Sequence, residues 1–272
     1  MEQFSYEQRV VCFIDILGFS NIIKSTTNNT TNNRNGEDQL SRICNALNLI
    51  NVFRHIFEKV NNKKVIDSIQ TTQFSDSIVI SFPWQEDDNS ILVAFILIKY
   101  MQVFLIKEFN ILLRGGIVIG NVIHNDKLLV GPAMIDAYML ESKCAFSPRI
   151  LIDPKVAIRY NKILKKFRED KKWEDTTVIH KDSDDTWYID YYNFSDNEDI
   201  FEPDNLLKYF KQLCQMVANN VENKDMSIRV KYLWMRNKLK TSNLFKKKEF
   251  ADAYKEIVTD KGKITKKAPK KE

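Results

Sequence analysis

Apolar and polar positions alternate along some stretches of the chain and recur every three or four residues along others, which predicts a mixture of strands and helices. Residues 9–16 have the pattern of a buried central strand, and a turn at residues 18–20 leads into a short helix. Asp38 is expected to cap a long amphipathic helix that runs to about Asn61. The Asn- and Thr-rich residues 26–35 are predicted to form a surface loop insertion.

The next predicted elements are a hairpin, a buried helix and further strands. Strand-like runs at 65–74 and 77–82 place Asp76 at the tip of the hairpin. An apolar helix is predicted to begin at Asn89 or Ser90 and to end near Phe109. The remaining strands predicted before residue 153 are 111–123, 128–130 and 149–152, and the remaining helix is 132–144.

This order of elements predicts an α+β fold of the ferredoxin-like type, with an antiparallel-rich sheet and helices on one face. We expect this domain to span residues 1–153. Residues 154–258 are predicted to form a mainly helical extension with a β-hairpin, used for packing or dimerisation, and 259–272 a disordered, lysine-rich tail. Within the extension the predicted helices are 154–172, 203–222, 226–240 and 245–258, and the predicted strands are 177–180 and 187–192.

The charge of the chain gives little support to a nucleic-acid partner. The formal net charge is +5, and residues 259–272 carry +4 of it, because six lysines there stand against Asp260 and Glu272. The longest apolar run, residues 91–98, ends at Lys99, well short of the roughly 20 residues that cross a bilayer. We therefore expect neither a nucleic-acid partner nor a membrane span.

The cysteines and histidines do not form a recognisable cluster. The four cysteines are far apart and lack the spacing of a zinc site or a disulfide framework. Reduced thiols and a polar N-terminus without an apolar signal region predict a cytoplasmic protein. His55, His124 and His180 are each expected to pack or to face solvent rather than to act as a base, and the aromatic residues at 187–192 are expected to belong to a core or an interface.

Candidate chemistry is concentrated in three short segments, residues 13–20, 74–77 and 114–131. Five of the seven glycines lie in the first and last of these segments, and Asp15 and Asp76 lie in the first and second. Each aspartate is expected where an apolar strand ends, and a glycine beside a strand end lets a phosphate group approach the backbone. Two such carboxylates suggest a two-metal site that holds a nucleoside triphosphate.

Together these segments resemble the class III nucleotidyl cyclases over about residues 8–153. The F-x-D-I-x-G-F-[ST] segment of that family matches residues 13–20 without gaps, which implies Asp15 and the backbone carbonyl of Ile16 as metal ligands. The second metal aspartate of the family corresponds to Asp76. The residues that match the R-x-G-x-x-x-G and G-x-x-x-x-x-A-x-x-L-E patterns are Arg114, Gly116, Gly120, Gly131, Ala137, Leu140 and Glu141.

The sequence departs from the family at the positions with which purine cyclases bind the base. Thr72 stands in place of a base-reading lysine, and Leu128 stands in place of a base-reading aspartate. Because both hydrogen-bonding groups are replaced, the purine readout is lost. Ile135 and Met139 replace the asparagine and arginine that the partner chain of a dimer supplies to the transition state.

Retained metal aspartates with altered base contacts are similar to the pyrimidine cyclases of the Pycsar anti-phage systems. This resemblance implies that the protein converts CTP or UTP to cyclic CMP or cyclic UMP plus pyrophosphate, as a second-messenger enzyme of antiviral defence. It implies two Mn²⁺ or Mg²⁺ ions at Asp15, Ile16 and Asp76. It also implies a homodimer with active sites at the interface.

The resemblance and the helix N-terminus after residue 18 also suggest the groups that bind the nucleotide. Backbone N–H groups at a helix N-terminus can hold phosphate oxygens, and Arg114 is a candidate cationic partner. With Ile135 and Met139 at the transition-state positions, catalysis requires that Arg114, Lys127, Lys143 or Arg149 stabilise the developing charge. The candidate nucleotide-binding residues are Leu17, Gly18, Phe19, Ser20 and Thr72.

Three other functions are compatible with the sequence. One is an adenylate cyclase with atypical base contacts. A second is a catalytically silent, nucleotide-binding regulatory domain, which the apolar Ile135 and Met139 favour. A third is an interaction module formed by residues 155–272.

Overall fold

The computed structural model describes residues 4–27, 33–59, 69–84, 90–169, 178–195 and 203–260. The chain divides into two compact units. The first unit comprises Met1–Trp173 and Val178–Asp190, and the second comprises Glu174–Thr177 and Tyr191–Glu272.

The first unit is built on a twisted sheet in which β1 lies near the centre. The strand order is β2-β3-β1-β4-β6-β8-β7, and β5 pairs with β4 at the side of this path. Neighbouring strands are antiparallel except for the parallel pair β4 and β6. The described strands are β1 (Glu7–Ile16), β2 (Gln70–Phe74), β3 (Ser77–Pro83), β4 (Leu113–His124), β5 (Leu129–Val130), β6 (Ile150–Ile152), β7 (Ile179–Lys181) and β8 (Trp187–Ile189).

Five helices described in the first unit connect these strands, and three described helices belong to the second unit. Those of the first unit are α1 (Phe19–Thr27), α2 (Asn33–Lys59), α3 (Ser90–Phe109), α4 (Pro132–Cys144) and α5 (Pro154–Glu169). Those of the second unit are α6 (Pro203–Asn220), α7 (Met226–Thr241) and α8 (Lys248–Tyr254), with a 3₁₀ turn at Leu244–Lys246 and a π-helical segment at Lys255–Asp260.

The two faces of the sheet carry different cores, because successive residues of a strand point to opposite sides. Even-numbered residues of β1, such as Val10 and Ile14, pack into the larger core with α2, α3 and α5. Odd-numbered residues, such as Val11 and Phe13, pack into a smaller core with Ala133 of α4. We call these the even face and the odd face of the sheet, after the numbering of β1.

The α+β fold class predicted from the sequence is confirmed, with a mostly antiparallel sheet and a helical C-terminal part. One detail differs, because α4 packs on the odd face, whereas helices were expected on one face only. The small residues Ala133 and Ala137 let this helix lie against β4. Helix α4 is only weakly amphipathic, so its pattern did not indicate which face it covers.

Several helix and strand boundaries differ from the predicted ones. Helix α2 begins at Asn33, so Asp38 lies inside it rather than at its cap, and α1 extends to Thr27 into the predicted loop insertion. Residues 28–32 of that predicted loop lie outside the described residues, and residues 65–68, the start of a predicted strand, lie outside them too. So do residues 261–272 of the predicted tail, whereas 259 and 260 belong to the π-helical segment.

The sheet continues beyond the predicted domain boundary at residue 153. The hairpin of β7 and β8 joins β6 through the pairs Leu151 with Tyr188 and Ile152 with Trp187. Helix α5 packs beneath the sheet, where Tyr160 stacks on Phe95 of α3 with ring centroids 5.1 Å apart. Residue 153 therefore lies inside the first unit rather than at its end. That residues 1–153 form the catalytic domain stays a prediction.

The second unit has an aromatic core of its own. Tyr191, Tyr192 and Tyr209 are buried, and the Tyr209 hydroxyl donates a hydrogen bond to the Tyr191 carbonyl at 3.0 Å. Phe210 and Phe250 make an edge-to-face contact with ring centroids 5.1 Å apart. The tyrosine-rich segment before these helices therefore packs into a core, which is one of the two roles that the sequence predicted for it.

The four cysteines form no disulfide bond. All four cysteines are free; Cys12 and Cys214 are buried, and Cys44 and Cys144 are exposed. Across the described ranges, no helix has both the length and the apolar character needed to cross a membrane.

Gly116 allows α4 to lie directly on β4. A Cβ atom added at this position would lie 2.4 Å from the Ala137 carbonyl oxygen and 2.9 Å from the Leu140 side chain. A carbonyl within a helix cannot move aside without moving the helix. The absence of a side chain at residue 116 therefore fixes the distance between α4 and the centre of the sheet.

We predict that Gly116→Ala lowers the free energy of unfolding by about 1–3 kcal/mol, because it overpacks the contact between β4 and α4. Urea denaturation followed by circular dichroism measures this loss. Gly18→Ala is the matched control, since a Cβ there meets nothing within 4 Å and only its positive φ of 80° opposes the substitution. That control is expected to cost about 1 kcal/mol, and an equal or larger loss than at Gly116 would contradict the packing argument.

Candidate functional site

Asp15 lies at the end of the central strand and is held from both sides. In the antiparallel register it is opposite Ser77 of β3 and Arg114 of β4. The Ser77 hydroxyl donates a hydrogen bond to Oδ1 of Asp15 at 3.0 Å, and Nε of Arg114 donates to Oδ2 at 3.1 Å. Residues opposite one another share a face, so this carboxylate belongs to the odd face.

Asp76 lies next to Asp15 at the turn between β2 and β3. The preceding residue, Ser75, has a φ of 51°, which forms the tight hairpin. The backbone N–H of Ile16 donates to the Asp76 carbonyl at 3.1 Å, which joins this turn to the end of β1. The two aspartates selected from the sequence are therefore brought together at one end of the sheet, although their roles stay predictions.

Glu141 of α4 is a third carboxylate at this site, and its contact with Arg114 was not foreseen. Its side chain is 3% exposed, and its Oε1 lies 2.7 Å from Nε of Arg114. The single N–H of that nitrogen points to Asp15, so Oε1 has charge contact but no hydrogen bond. Sequence spacing offered one signal, because Glu141 is four residues after Ala137, which packs on the same strand at Gly116.

These carboxylates affect one another electrostatically. Burial raises the pKa of Asp15 above its ordinary value, and Asp76 adds to this, although hydrogen bonds from Arg114 and Ser77 act in the opposite direction. Burial also raises the pKa of Glu141, where Arg114 opposes the change and Asp15 and Asp76 add to it. The Arg114 guanidinium thus contacts Asp15 and Glu141, and Asp76 acts electrostatically on both carboxylates. Three carboxylates and one cation leave excess negative charge, which favours binding of a further cation.

The donor atoms at this site fit a hard divalent cation. Mg²⁺ and Mn²⁺ prefer oxygen ligands, and Mg²⁺ is commonly held by one or two carboxylates together with substrate phosphates and water. Asp15, Asp76 and the backbone carbonyl of Ile16 would supply such oxygens. Within the described part of the chain, no group of three His, Cys, Asp or Glu side chains is arranged to hold a metal ion, so substrate or water would have to complete the coordination.

The turn after β1 presents backbone donors beside these carboxylates. Gly18 has a φ of 80°, and its carbonyl accepts the N–H groups of Asn21 and Ile22 at 3.1 and 3.2 Å, which begins α1. The first N–H groups of a helix, here those of Phe19 and Ser20, have no acceptor within the helix. The N–H of Leu17 instead donates to the Leu112 carbonyl at 2.9 Å, so Leu17 is not available as the phosphate donor that the sequence suggested.

Thr72 lies on the odd face, half-buried at the end of a chain of hydrogen-bonded groups whose other members, Arg9, Ser81 and His124, are buried. Its hydroxyl is 2.8 Å from Nε2 of His124, and Nδ1 of the same ring is 2.8 Å from the Ser81 hydroxyl. Nε of Arg9 donates to that hydroxyl at 2.8 Å, and Nη1 of Arg9 donates to Glu7 at 2.9 Å. The sequence predicted that His124 packs or faces solvent, and its hydrogen bonds were not predicted, since the four strands involved are brought together only by the sheet.

Burial lowers the pKa of His124 to about 4, and the positive charge of Arg9 acts in the same direction. The imidazole is 6% exposed. It is therefore neutral near pH 7, with one ring nitrogen donating and the other accepting.

The other cations proposed from the sequence are not positioned as Arg114 is. Arg149 is buried and is held by Asp182 at 2.6 Å, Asp184 at 2.5 Å and the Thr186 hydroxyl at 3.0 Å. This fastens the turn between β7 and β8 to the start of β6, and breaking a buried pair of this kind costs about 3–5 kcal/mol. Lys127 and Lys143 are exposed, on the β4–β5 turn and on α4 respectively.

Three of the four residues that replace the base-reading and transition-state groups of the resembled family are exposed apolar side chains: Leu128, Ile135 and Met139. Ile135 is 63% exposed and Met139 is 44% exposed on the outer side of α4. Tyr138 between them contacts Phe13 edge to face at 5.5 Å. We call this surface the apolar patch, and its exposed members are Phe74, Leu128, Val130, Ile135, Tyr138 and Met139.

A cavity of about 350 Å³ lies elsewhere in the first unit. It is enclosed by α1, α2 and the junction of α3 with β4, and none of the three carboxylates lines it. Arg42 at its wall donates to the Phe109 carbonyl. The carboxylate cluster, rather than this cavity, is the candidate functional site.

No family model and no curated protein matches the chain. Among solved structures, it is similar to the monomeric guanylyl cyclase domain of the RhoGC fusion protein from the aquatic fungus Blastocladiella emersonii, with 15% identity, a TM-score of 0.45, and coverage of 70% of this chain and 98% of that chain. It is also similar to the guanylyl cyclase Cya2, with 15% identity, a TM-score of 0.36, and coverage of 72% and 96% respectively. The function proposed below therefore rests on the site residues themselves.

We predict that the free energy of unfolding decreases by about 3 kcal/mol between pH 6.5 and pH 4 because of His124 alone. The unfolded chain takes up a proton as the pH falls through its ordinary histidine pKa, whereas the folded chain does so only near pH 4. Stability from this group is thus complete above pH 6.5 and is lost on acidification.

Urea denaturation at several pH values, for wild type and His124→Gln, measures this contribution as the difference in slope against pH. His180→Gln, at an exposed histidine outside the buried hydrogen-bonded chain, is the matched control. Equal slopes for wild type and His124→Gln would show that the ring is not buried as a neutral group.

Proposed function

We propose that this protein is a cytoplasmic, metal-dependent class III nucleotidyl cyclase that converts CTP or UTP to the 3′,5′-cyclic nucleotide and pyrophosphate. The observation that carries the proposal is the convergence of Asp15 and Asp76 beside the N-terminus of α1. The same motifs that resemble the family in sequence supply the carboxylates, the glycine turn and Arg114. Cyclic CMP or cyclic UMP would then serve as a second messenger in antiviral defence.

The reaction needs no nucleophile from the protein. The 3′-hydroxyl of the ribose forms a new bond to the α-phosphorus, the bond from that phosphorus to the pyrophosphate oxygen breaks, and the hydroxyl proton is lost to solvent. Divalent cations at Asp15, Asp76 and the Ile16 carbonyl would lower the pKa of the attacking hydroxyl and offset phosphate charge. The N–H groups of Gly18, Phe19 and Ser20, at the N-terminus of α1, would bind phosphate oxygens.

Arg114 connects substrate binding to the state of the carboxylates. Its guanidinium is paired with Asp15 and lies against Glu141. A bound triphosphate would compete for this planar donor group, since guanidinium pairs with phosphate as well as with carboxylate. Transfer of Arg114 to the phosphates would leave Asp15 free to bind a cation, and Glu141 would keep the guanidinium near the site.

A pyrimidine substrate is supported by the groups at the base-reading positions. Thr72 presents a hydroxyl on the odd face, and Leu128 presents an exposed apolar side chain, so neither offers the lysine and aspartate pair of a purine site. A site that lacks these groups leaves the hydrogen-bonding edge of a purine unpaired, which is a strong source of discrimination.

A homodimer is supported by the apolar patch. The six exposed apolar side chains lie on α4, β2, β5 and the turn before β5. Helix α4 and strand β2 contribute residues to the face of the sheet that carries Asp15. Contiguous apolar surfaces of this kind usually mark an interface. Association through the patch would enclose the nucleotide between two copies of the chain.

A catalytically silent nucleotide-binding domain is the second candidate. Ile135 and Met139 offer no charge to a transition state, and Arg149 forms structural ion pairs with Asp182 and Asp184. Such a domain would bind a triphosphate at the same site without turning it over.

We predict that the purified protein with Mn²⁺ forms cyclic product and pyrophosphate from CTP or UTP, and that Asp15→Ala and Asp76→Ala each lower the rate by at least about 100-fold through loss of cation binding. Chromatography of the products from each of the four triphosphates measures this. Asp252→Ala, an exposed aspartate of the second unit, is the control and retains wild-type activity.

Product from ATP or GTP but not from CTP or UTP would overturn the pyrimidine assignment and favour the adenylate cyclase alternative. Binding of nucleotides without product would establish the silent domain. Wild-type rates in either aspartate variant, with an unchanged circular dichroism spectrum, would remove that residue from the proposed metal site.

We also predict that the double variant Ile135→Asp and Met139→Asp is monomeric and inactive, because two carboxylates in the apolar patch would be buried without partners in the dimer. Sedimentation equilibrium measures the mass. Ile158→Asp, at a residue of α5 that is 68% exposed on the other side of the sheet, is the matched control and remains dimeric. A monomeric wild-type protein with full activity would contradict the proposed interface.

A further inference from the structure

Along the buried polar chain on the odd face, every hydrogen bond donates in the same direction, from Arg9 toward Thr72. The chain begins at Arg9, whose guanidinium can only donate, and passes through the fully buried Ser81 hydroxyl and the ring of His124 to Thr72. Because Ser81 accepts from Arg9, its own proton needs another acceptor. Among the described residues, the group within hydrogen-bonding distance that can accept it is Nδ1 of His124.

This direction fixes the tautomer of His124. If Nδ1 accepts from Ser81, the proton of the neutral ring resides on Nε2, which then donates to the Thr72 hydroxyl oxygen at 2.8 Å. In the reverse arrangement, Ser81 would accept from both Arg9 and His124, and its proton would be buried without a partner. A buried unsatisfied donor costs about 1–3 kcal/mol, so the first arrangement is strongly preferred.

The end of the chain is open to a ligand. Thr72 accepts from His124, so its own hydroxyl proton is free to be donated outward. Thr72 is partly exposed, whereas Arg9, Ser81 and His124 are buried behind it. In the register of the sheet, Thr72 is opposite Val79, which is opposite Phe13, so it lies on the same face as Asp15 and beside the exposed Phe74.

We propose that His124 is a positioning residue that holds the Thr72 hydroxyl as a hydrogen-bond donor toward a carbonyl oxygen of the substrate base. The proposal rests on the proposed nucleotide-binding function and adds to it the chemistry of the base contact. Arg9 and Ser81 set the direction of the chain, and His124 transmits it to Thr72.

A hydroxyl donor can pair with a pyrimidine carbonyl, but it does not separate the two pyrimidines. Cytosine and uracil both carry a carbonyl oxygen at C2 that can accept from a hydroxyl. A contact through Thr72 to this oxygen therefore contributes equally to CTP and UTP, and discrimination between them must come from another group.

Calorimetric titration with CTP, UTP and inorganic tripolyphosphate tests the contact without requiring turnover. Thr72→Val is expected to weaken binding of both nucleotides about three- to tenfold and to leave tripolyphosphate binding unchanged, because one hydrogen bond to the base is lost. Thr72→Ser keeps the hydroxyl and restores nucleotide binding. Thr71→Val, on the same strand with its side chain toward the even face, is the matched control and binds as wild type.

The direction of the chain is tested by the ¹⁵N NMR spectrum of His124. A proton on Nε2 and none on Nδ1 near pH 7 is expected in the wild type, and Ser81→Ala should allow a proton on Nδ1. In that variant Thr72 can donate inward to Nε2, so the affinity for both nucleotides decreases while binding of tripolyphosphate does not.

Three outcomes overturn the inference. Unchanged nucleotide affinity in Thr72→Val removes the base contact while leaving the proposed cyclase function intact. A proton on Nδ1 of His124 in the wild type would mean that His124 donates to Ser81 and not to Thr72, which is the opposite of the inferred direction of donation. Failure of the wild-type protein to bind any nucleotide, with tripolyphosphate also unbound, removes the proposed function together with this contact.

Discussion

The antiparallel pairing of β1 between β3 and β4 is the constraint on which the site depends. It sets Asp15 between Ser77 and Arg114, and it joins the Asp76 turn to the end of the same strand. Because side chains alternate along a strand, a slip of one residue would turn Asp15 toward the even face and turn its apolar neighbours toward solvent. Burial of both faces of β1 therefore specifies the geometry of the carboxylates as strongly as it specifies the fold.

The two faces of the sheet divide structure from proposed function. The even face is covered by α2, α3 and α5 and contains mainly aliphatic and aromatic residues. The odd face carries the carboxylates, Arg114, the chain from Arg9 to Thr72 and the apolar patch. The contact between Gly116 and α4 brings Glu141 onto this face, so close packing and electrostatics are coupled at one strand.

Periodicity and residue type were sufficient to predict the α+β class and most elements, including α3, α4 and the hairpin with Asp76 at its tip. These features are local, since each depends on the spacing of apolar residues and on turn-forming residues. Predictions of helix starts were weaker, as Asp38 shows, because a capping residue is favoured but not required where tertiary packing stabilises a longer helix. The sequence did not predict that β8 and β7 extend this sheet beyond β6, because the pairing between Leu151 and Tyr188 has no local signal.

The sequence by itself determined which residue types could bind a cation and a triphosphate, since Asp15, Gly18, Asp76 and Arg114 stand out by type and spacing. Only the tertiary structure decided how they are engaged: Arg114 is shared with Glu141, and the N–H of Leu17 is bonded to Leu112. It also decided that Thr72 ends a buried hydrogen-bonded chain. The reason is that a side chain's chemistry is encoded locally, whereas its partners and solvation are set by strands that meet only when the sheet forms.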